Sequence, residues 1–271
     1  MTISDWLREA TKQLKDIGIE SNRLDAELIL AHTLRKPRTY LHAHLDEEID
    51  ERRYDIANAR LDLRLERTPL AYIVGHKEFY GRRFTITPSV LVPRPESETL
   101  IEWLLELTAE EITPKKLVDV GTGSGILGIT AKLERPHLDV LLTDIDAKAL
   151  AVATRNAEQL SASVHTKRDS LLDTQSYRAD YILANLPYVD ETWTDTSPEL
   201  RHEPPGALYT SQGGLKLIYQ LLPQLARWLT PGGVALLEAD PTQHAAISKA
   251  AQSHGLSGLG SRDYILGLTH R

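Results

Sequence analysis

Apolar residues recur at helical spacing from the start of the chain: Leu7, Ala10, Leu14 and Ile17 run up to Gly18, and Leu24, Leu28, Ala31 and Leu34 up to Pro37. A third, more polar helix is predicted over Glu51 to Arg67, with Ile56, Ala59 and Leu63 on one face. Together these segments make a small helical bundle. Between Pro69 and Pro95 the pattern turns extended, with Phe79-Tyr80-Gly81 and Phe84-Thr85-Ile86 flanking Gly81-Arg82-Arg83 as in a hairpin. From Ser97 onward helices and strands take turns. Strands are predicted at 117–120, 140–143, 181–184, 234–237 and 264–268, and helices at 100–107, 127–133, 147–160, 215–229 and 242–254. That order implies a doubly wound, mainly parallel α/β sheet, in which ligands bind at the carboxyl ends of the strands. The expected domains are a helical bundle over 1–68, a hairpin linker over 69–95 and an α/β domain over 96–271.

Two segments of chemical character fall at such strand ends. The first is Asp119-Val120-Gly121-Thr122-Gly123-Ser124-Gly125, whose glycines let the backbone turn sharply and approach a ligand, while the helix that follows points free N–H groups at it. Asp144 ends the next strand, 19 residues after Gly125, where a carboxylate can accept hydrogen bonds from both hydroxyls of a ribose. Position 126 is Ile, so the dinucleotide pattern Gly-x-Gly-x-x-Gly is not met from Gly121. Asp119 suits an ammonium group better than a pyrophosphate. S-adenosylmethionine has an ammonium group, a ribose and no phosphate.

The second segment is Asn185-Leu186-Pro187-Tyr188. The Asn185 side-chain oxygen can accept one N–H of an amide or exocyclic amine and the Leu186 carbonyl the other, with Tyr188 as an aromatic wall. Pro187 drives Leu186 to extended angles and leaves that carbonyl free. Such a site suits methylation of a planar nitrogen. Asn-x-Pro is also an ordinary strand-ending turn, in which Asn serves its own backbone.

Composition narrows the field further. The 271 residues are 41% hydrophobic and 25% charged, as in a globular protein, and hold no apolar run long enough to span a bilayer. Met1 to Trp6 lacks a charged-then-apolar export signal, and the absence of cysteine excludes disulfides and thiolate chemistry, so a cytoplasmic location is expected. His42-Ala43-His44 has no Asp/Glu/His cluster around it and reads as solvated loop rather than a metal pair. Residues 1–95 carry 16 Lys/Arg against 15 Asp/Glu, and residues 96–271 carry 15 against 23. Neither half has the basic excess of a protein that lives on phosphate backbones, so no direct nucleic-acid contact is expected. Trp103 and Trp228 fall at apolar helical positions and read as core. Trp193 lines a substrate entrance or packs a loop, and Arg94 closes the site or pairs with Glu96 or Glu98.

Asp119-x-Gly121-x-Gly123-x-Gly125, Asp144 and Asn185-x-Pro187-Tyr188 together resemble the class I methyltransferase pattern, with its Rossmann-like sheet. Residues 69–75 (Pro-Leu-Ala-Tyr-Ile-Val-Gly), Glu78-Phe79-Tyr80-Gly81, Val90 to Glu96, Arg23 to Leu28 and Arg201-His202-Glu203-Pro204 are similar to the protein-(glutamine-N5) methyltransferases that modify peptide chain release factors. The resemblance covers nearly the whole chain. It implies an N-terminal helical domain that helps hold the release factor, a β-hairpin linker, and a catalytic domain that methylates the glutamine of a Gly-Gly-Gln tripeptide. By position it implies that Gly121, Thr122, Gly123, Ser124, Gly125, Asp144, Asp169 and Ser170 contact S-adenosylmethionine and that Asn185 to Tyr188 hold the glutamine amide.

This chain departs from the family at Leu186, usually Pro, at Ser170, often aromatic, and at Asp240, usually Gly, where loop shape is expected to differ. The Asn-Leu-Pro-Tyr spelling also resembles the ribosomal RNA adenine-N6 dimethyltransferases. A third reading is a nucleotide-binding module without chemistry, in which Asn185 is structural.

Overall fold

The computed structural model describes residues 1–190, 192–194 and 196–270. The chain divides into two units, Met1–His76 with Ser197–His202, and Lys77–Thr196 with Glu203–Arg271.

In the first unit α1 (Ile3–Asp16) starts where the Thr2 hydroxyl accepts the Asp5 N–H, a side-chain N-cap, and it buries Ile3, Trp6, Leu7, Ala10 and Leu14 on one face. Helix α2 (Asn22–Leu34) ends at Arg35 in the left-handed region, and α3 (Arg38–Ala43), α4 (Glu51–Leu65, capped by Asp50) and α5 (Leu70–Val74, stopped by Gly75) follow. The core joins Trp6, Leu7 and Leu14 to Ile29, Leu30, Leu41 and Leu61.

The phase of α4 differs from the sequence expectation, and α2 keeps the expected face only in part, with Ala31 and Leu34 buried but Leu24 exposed. Leu24, Ile56 and Leu63 are exposed, and the buried faces instead carry Asp25, Ala26 and Ile29 in α2 and Ala57, Leu61 and Arg64 in α4. The reason is a buried ion pair: Arg64 Nε donates to Asp25 at 2.7 Å, and Arg64 also donates to Glu199 at 3.1 Å. Charges on the inner face defeat a purely apolar count. Glu199 lies in the 3-10 turn Pro198–His202, so this unit takes in a segment distant in sequence. His42 faces the buried Glu27 at 3.5 Å while His44 stacks on Tyr40, so these two histidines serve different partners.

All but the first residue of the hairpin of β1 (His76–Phe79) and β2 (Arg82–Thr85) belongs to the second unit. Its turn is Tyr80-Gly81, both at positive φ (49° and 70°), which matches the strand twist; Arg82 and Arg83 thus lie in β2 and not in the turn. Asn156 straps this hairpin to the following domain by exchanging bonds with both the N–H and C=O of Thr85.

The main sheet has seven strands in the order β5-β4-β3-β6-β7-β9-β8. These are β3 (Lys115–Val120), β4 (Leu138–Asp144), β5 (His165–Arg168), β6 (Ala179–Ala184), β7 (Leu229–Glu238), β8 (Leu256–Arg262) and β9 (Ile265–His270). Pairing is parallel from β5 to β7 and antiparallel for β7–β9 and β9–β8. Helices α6 (Glu98–Leu107), α7 (Ile126–Glu134) and α8 (Ala147–Gln159) pack in succession, as do α10 (Lys216–Trp228) and α11 (His244–Ser253), with the short α9 (Pro205–Leu208) between the sets in sequence. Side chains that alternate along β3 separate the two faces: Val118 and Val120 join Leu221, Leu222, Leu225 and Ile247, while Asp119 meets α7. Trp103 is buried, and Trp228 packs against the α10–α11 core.

The strands that the sequence pattern leaves out, β5 and β8, are the two edges of the sheet. Their residues, His-Thr-Lys-Arg and Leu-Ser-Gly-Leu-Gly-Ser-Arg, are largely exposed and lack an apolar alternation. From β3 the chain goes outward to β4 and β5 and then returns to β6 on the other side. That reversal opens a crevice at the carboxyl ends of β3 and β6.

Candidate active site

A cavity of about 350 Å³ fills this crevice. Its walls come from the turn after β3, the end of β4, residues after β5, residues 185–187 after β6, and the segments 89–97 and 204–207. Gly121 sits at φ 69° with Leu186 across from it; a Cβ there would lie 2.8 Å from Leu186 Cδ2. Gly125, at φ 84°, caps α7, and a Cβ would lie 2.6 Å from Ile129 and 3.2 Å from Ala153 of α8. The turn therefore needs glycine both for its backbone angles and for its close packing.

Gly121, Thr122, Gly123, Ser124, Asp144, Asp169 and Ser170 all line the cavity. Asp144 Oδ2 accepts the Gly123 N–H and Oδ1 the Asp146 N–H, both at 2.9 Å, so its carboxylate holds the turn and keeps further lone pairs for a ligand. Burial raises its pKa above the ordinary carboxylate value, against the pull of those N–H groups. Asp169 is buried and accepts the Thr174 N–H at 3.2 Å. Ile145, 64% exposed beside Asp144, offers an apolar face at the cavity rim that sequence reasoning did not single out.

Asp119 and Gly125 are placed differently from the sequence expectation, since neither lines the cavity. Asp119 is fully buried behind the turn, where Oδ2 accepts the Thr122 hydroxyl at 2.6 Å and the Gly128 N–H at 2.9 Å. Its carboxylate braces the loop from behind, so direct contact with an ammonium group is not the geometry found. Burial pushes its pKa up to about 6.

On the other wall Asn185, Leu186 and Pro187 face the cavity. Asn185 Nδ2 donates to Ser97 Oγ at 3.2 Å, and Ser97 donates to Glu238 Oε2 at 2.6 Å. Neither Asn185 Oδ1 nor the Leu186 carbonyl is taken by a protein donor among the described residues. Two acceptors without a protein donor thus sit on adjacent residues just past the end of β6. Leu in place of the usual Pro keeps this carbonyl free, and its side chain packs over Gly121.

Tyr188 does not line the cavity. Its hydroxyl donates to Glu238 Oε1 at 3.3 Å, and burial first, then the Glu238 carboxylate, drives its pKa far upward. Its carbonyl accepts the Gln243 side-chain N–H at 2.9 Å. Gln243 belongs to a capping box with Asp240, whose φ of −61° is ordinary for any residue, so this loop has no need of the family's glycine. Arg94 pairs with the buried Glu203, which also accepts the Val92 N–H, and not with Glu96 or Glu98. Trp193 is 37% exposed and lies outside the cavity lining.

The sheet order, the glycine turn after its first central strand and the acid ending the next one define a class I methyltransferase. Residues 97–221 match the methyltransferase small domain, and residues 5–75 match the PrmC N-terminal domain. A methyltransferase from Pyrococcus furiosus has the same fold, with a TM-score of 0.54 at 18% identity over 71% of this chain and 91% of that one. The release factor glutamine methyltransferase of Koribacter versatilis is 39% identical over 89% of each chain. Those of Deinococcus radiodurans and Coxiella burnetii are 35% and 33% identical, over 94% and 99% of this chain and 92% and 97% of theirs. The chain belongs to the release factor glutamine methyltransferase family.

Proposed function

We propose that this enzyme methylates the side-chain amide nitrogen, N5, of the glutamine in the Gly-Gly-Gln motif of peptide chain release factors, with S-adenosylmethionine as donor. The observation that carries the reading is that Asn185 Oδ1 and the Leu186 carbonyl, neither bonded to a protein donor among the described residues, belong to adjacent residues that line a glycine-turn cavity. A primary amide offers two N–H groups in one plane, and two acceptors at one strand end match them.

S-adenosylmethionine, when bound, supplies a methyl group on a positively charged sulfur. Asp144 would accept from its ribose hydroxyls, Ile145 would cover its base, and residues Gly121 to Ser124 of the turn with Asp169 and Ser170 would line the rest. Asn185 and Leu186 orient the amide so that the nitrogen lone pair points at the methyl carbon. A bond forms from nitrogen to that carbon as the carbon–sulfur bond breaks, and the sulfur keeps the electron pair. The amide nitrogen becomes positive and strongly acidic, so the proton passes to water after transfer. Both acceptors strengthen their bonds as that charge develops, which is stabilisation of the transition state more than of the bound amide. On this reading residues 1–68 help hold the release factor, 69–95 form the linker and 96–271 carry the chemistry.

The test is transfer of labelled methyl to a purified release factor, to the same factor with its motif glutamine changed to Ala, and to ribosomal RNA. Label on the intact factor alone supports the reading, and label on RNA would replace it with the adenine reaction. Asn185→Ala should lower turnover at least about tenfold, near 1.4 kcal/mol of barrier, with cofactor affinity little changed. Full activity in that variant would remove Asn185 from the mechanism.

A further inference from the structure

An asparagine amide can face a site with its oxygen or its NH2, and only the first orientation accepts from a substrate amide. We propose that Ser97 and Glu238 are positioning residues that set this choice at Asn185, an inference that rests on the amide-holding role given to Asn185 above.

The three side chains come from remote parts of the chain: Ser97 and Glu238 are 141 positions apart, and Asn185 and Ser97 are 88 apart. Ser97 closes the 3-10 turn Pro95–Ser97 and is fully buried, and Glu238 ends β7 with 2% exposure. A serine hydroxyl has one proton to give. At 2.6 Å that proton goes to the Glu238 carboxylate, which has none to offer in return. Ser97 therefore meets Asn185 as an acceptor, and the Asn185 NH2 must turn toward it. Oδ1 is left facing the cavity. Tyr188 donates to the other Glu238 oxygen, and Asn185 also acts favourably on the ionised Glu238. The relay thus runs in one direction, with the buried carboxylate as its terminal acceptor.

Protonation of Glu238 would reverse it. The acid would donate to Ser97, Ser97 would donate to Asn185 Oδ1, and the amide would present its NH2 to the cavity, which repels the N–H groups of a substrate amide. The groups acting on Glu238 include Glu96 on the same turn as Ser97, which opposes its ionisation, and Tyr188, which favours it; Tyr264 and Arg94 act on that tyrosine. Burial is the largest influence and raises the Glu238 pKa, so the reversal is brought nearer to neutral pH than for a solvated carboxylate.

The chain has four asparagines, Asn22, Asn58, Asn156 and Asn185, so protein labelled with 15N only at asparagine side chains shows four NH2 pairs by NMR, the Asn185 pair being the one lost in Asn185→Ala. Ser97→Ala and Glu238→Leu should each shift that pair and remove its response to pH. Both should lower kcat/KM for the release factor at least about tenfold while the dissociation constant of S-adenosylmethionine moves less than about threefold. The two variants are independent, so a failure of Glu238→Leu to fold leaves Ser97→Ala decisive. A folded variant with wild-type kcat/KM and an unmoved Asn185 pair would overturn the proposal. If Asn185→Ala stays fully active while Ser97→Ala still shifts the pair, the mechanism assigned to Asn185 falls and its positioning by Ser97 stands.

Discussion

Asp119 should make the fold less stable as pH rises, and replacing it by Asn should reverse that trend. Its carboxyl is completely buried, one oxygen is bonded to Thr122 and Gly128, and the other has no partner. Burial raises its pKa from 3.8 to about 6, more than the two hydrogen bonds lower it, and the charge of Asp144 adds to the rise. A carboxyl harder to ionise when folded binds more protons in the native state than in the unfolded one between those values. Its favourable contribution is complete below pH 3.8 and is lost as pH climbs through about 6. The displacement is worth about 3 kcal/mol, at 1.36 kcal/mol for each tenfold change in proton affinity.

Asp119→Asn keeps the shape and the acceptor for Thr122 and Gly128 but carries no charge. Its NH2 lies where Oδ1 had no partner, a cost of about 1–3 kcal/mol that does not vary with pH. Urea unfolding of both proteins without cofactor, at a series of pH values from about 4 to 8, separates the two effects. The variant should gain about 2.5 kcal/mol relative to wild type across that range, most of it below about pH 7. A difference between the proteins that stays flat with pH would refute the argument that Asp119 pays for burial as a charge.

Asp144→Ala should weaken S-adenosylmethionine binding at least about tenfold by calorimetry, because the change removes a charged acceptor and releases the Gly123 N–H together. Gly214→Ala should reduce methyl transfer, since φ is +78° and the new Cβ would lie 1.9 Å from the Tyr188 carbonyl; the positive φ alone costs about 1–3 kcal/mol, the backbone clash adds to it, and normal kinetics would show that the loop gives way. Arg64→Ala leaves Asp25 buried without its cation and should destabilise the helical unit by about 3–5 kcal/mol, read as faster amide hydrogen exchange in α2 and α4. Unchanged exchange there would mean that water replaces the arginine.

What was legible in the sequence was what lies close together along it. The glycine turn follows an apolar strand directly, the acid of β4 comes at a fixed distance after it, and Asn185 to Tyr188 are neighbours, so element type and candidate chemistry could be read from local pattern and backbone restriction. The edge strands β5 and β8 escaped that reading because exposure on an outer edge removes the apolar alternation that marks a strand. The face of α4 and part of that of α2 escaped it because their inner stripe includes an ion pair.

The sequence by itself therefore determined the class of fold, the ligand end of the sheet and a set of candidate site residues most of which line the cavity. Only the tertiary structure decided which of them look inward. It put Asp119 behind the turn as a brace, turned the Tyr188 hydroxyl toward Glu238, and paired Arg94 with Glu203. It also brought Ser97 and Glu238 to Asn185. The physical reason is that a hydrogen bond depends on distance and direction in space. Once β6 and β7 pair side by side and the turn before α6 packs across their ends, residues separated by 141 positions become neighbours. No periodicity along the chain records that juxtaposition.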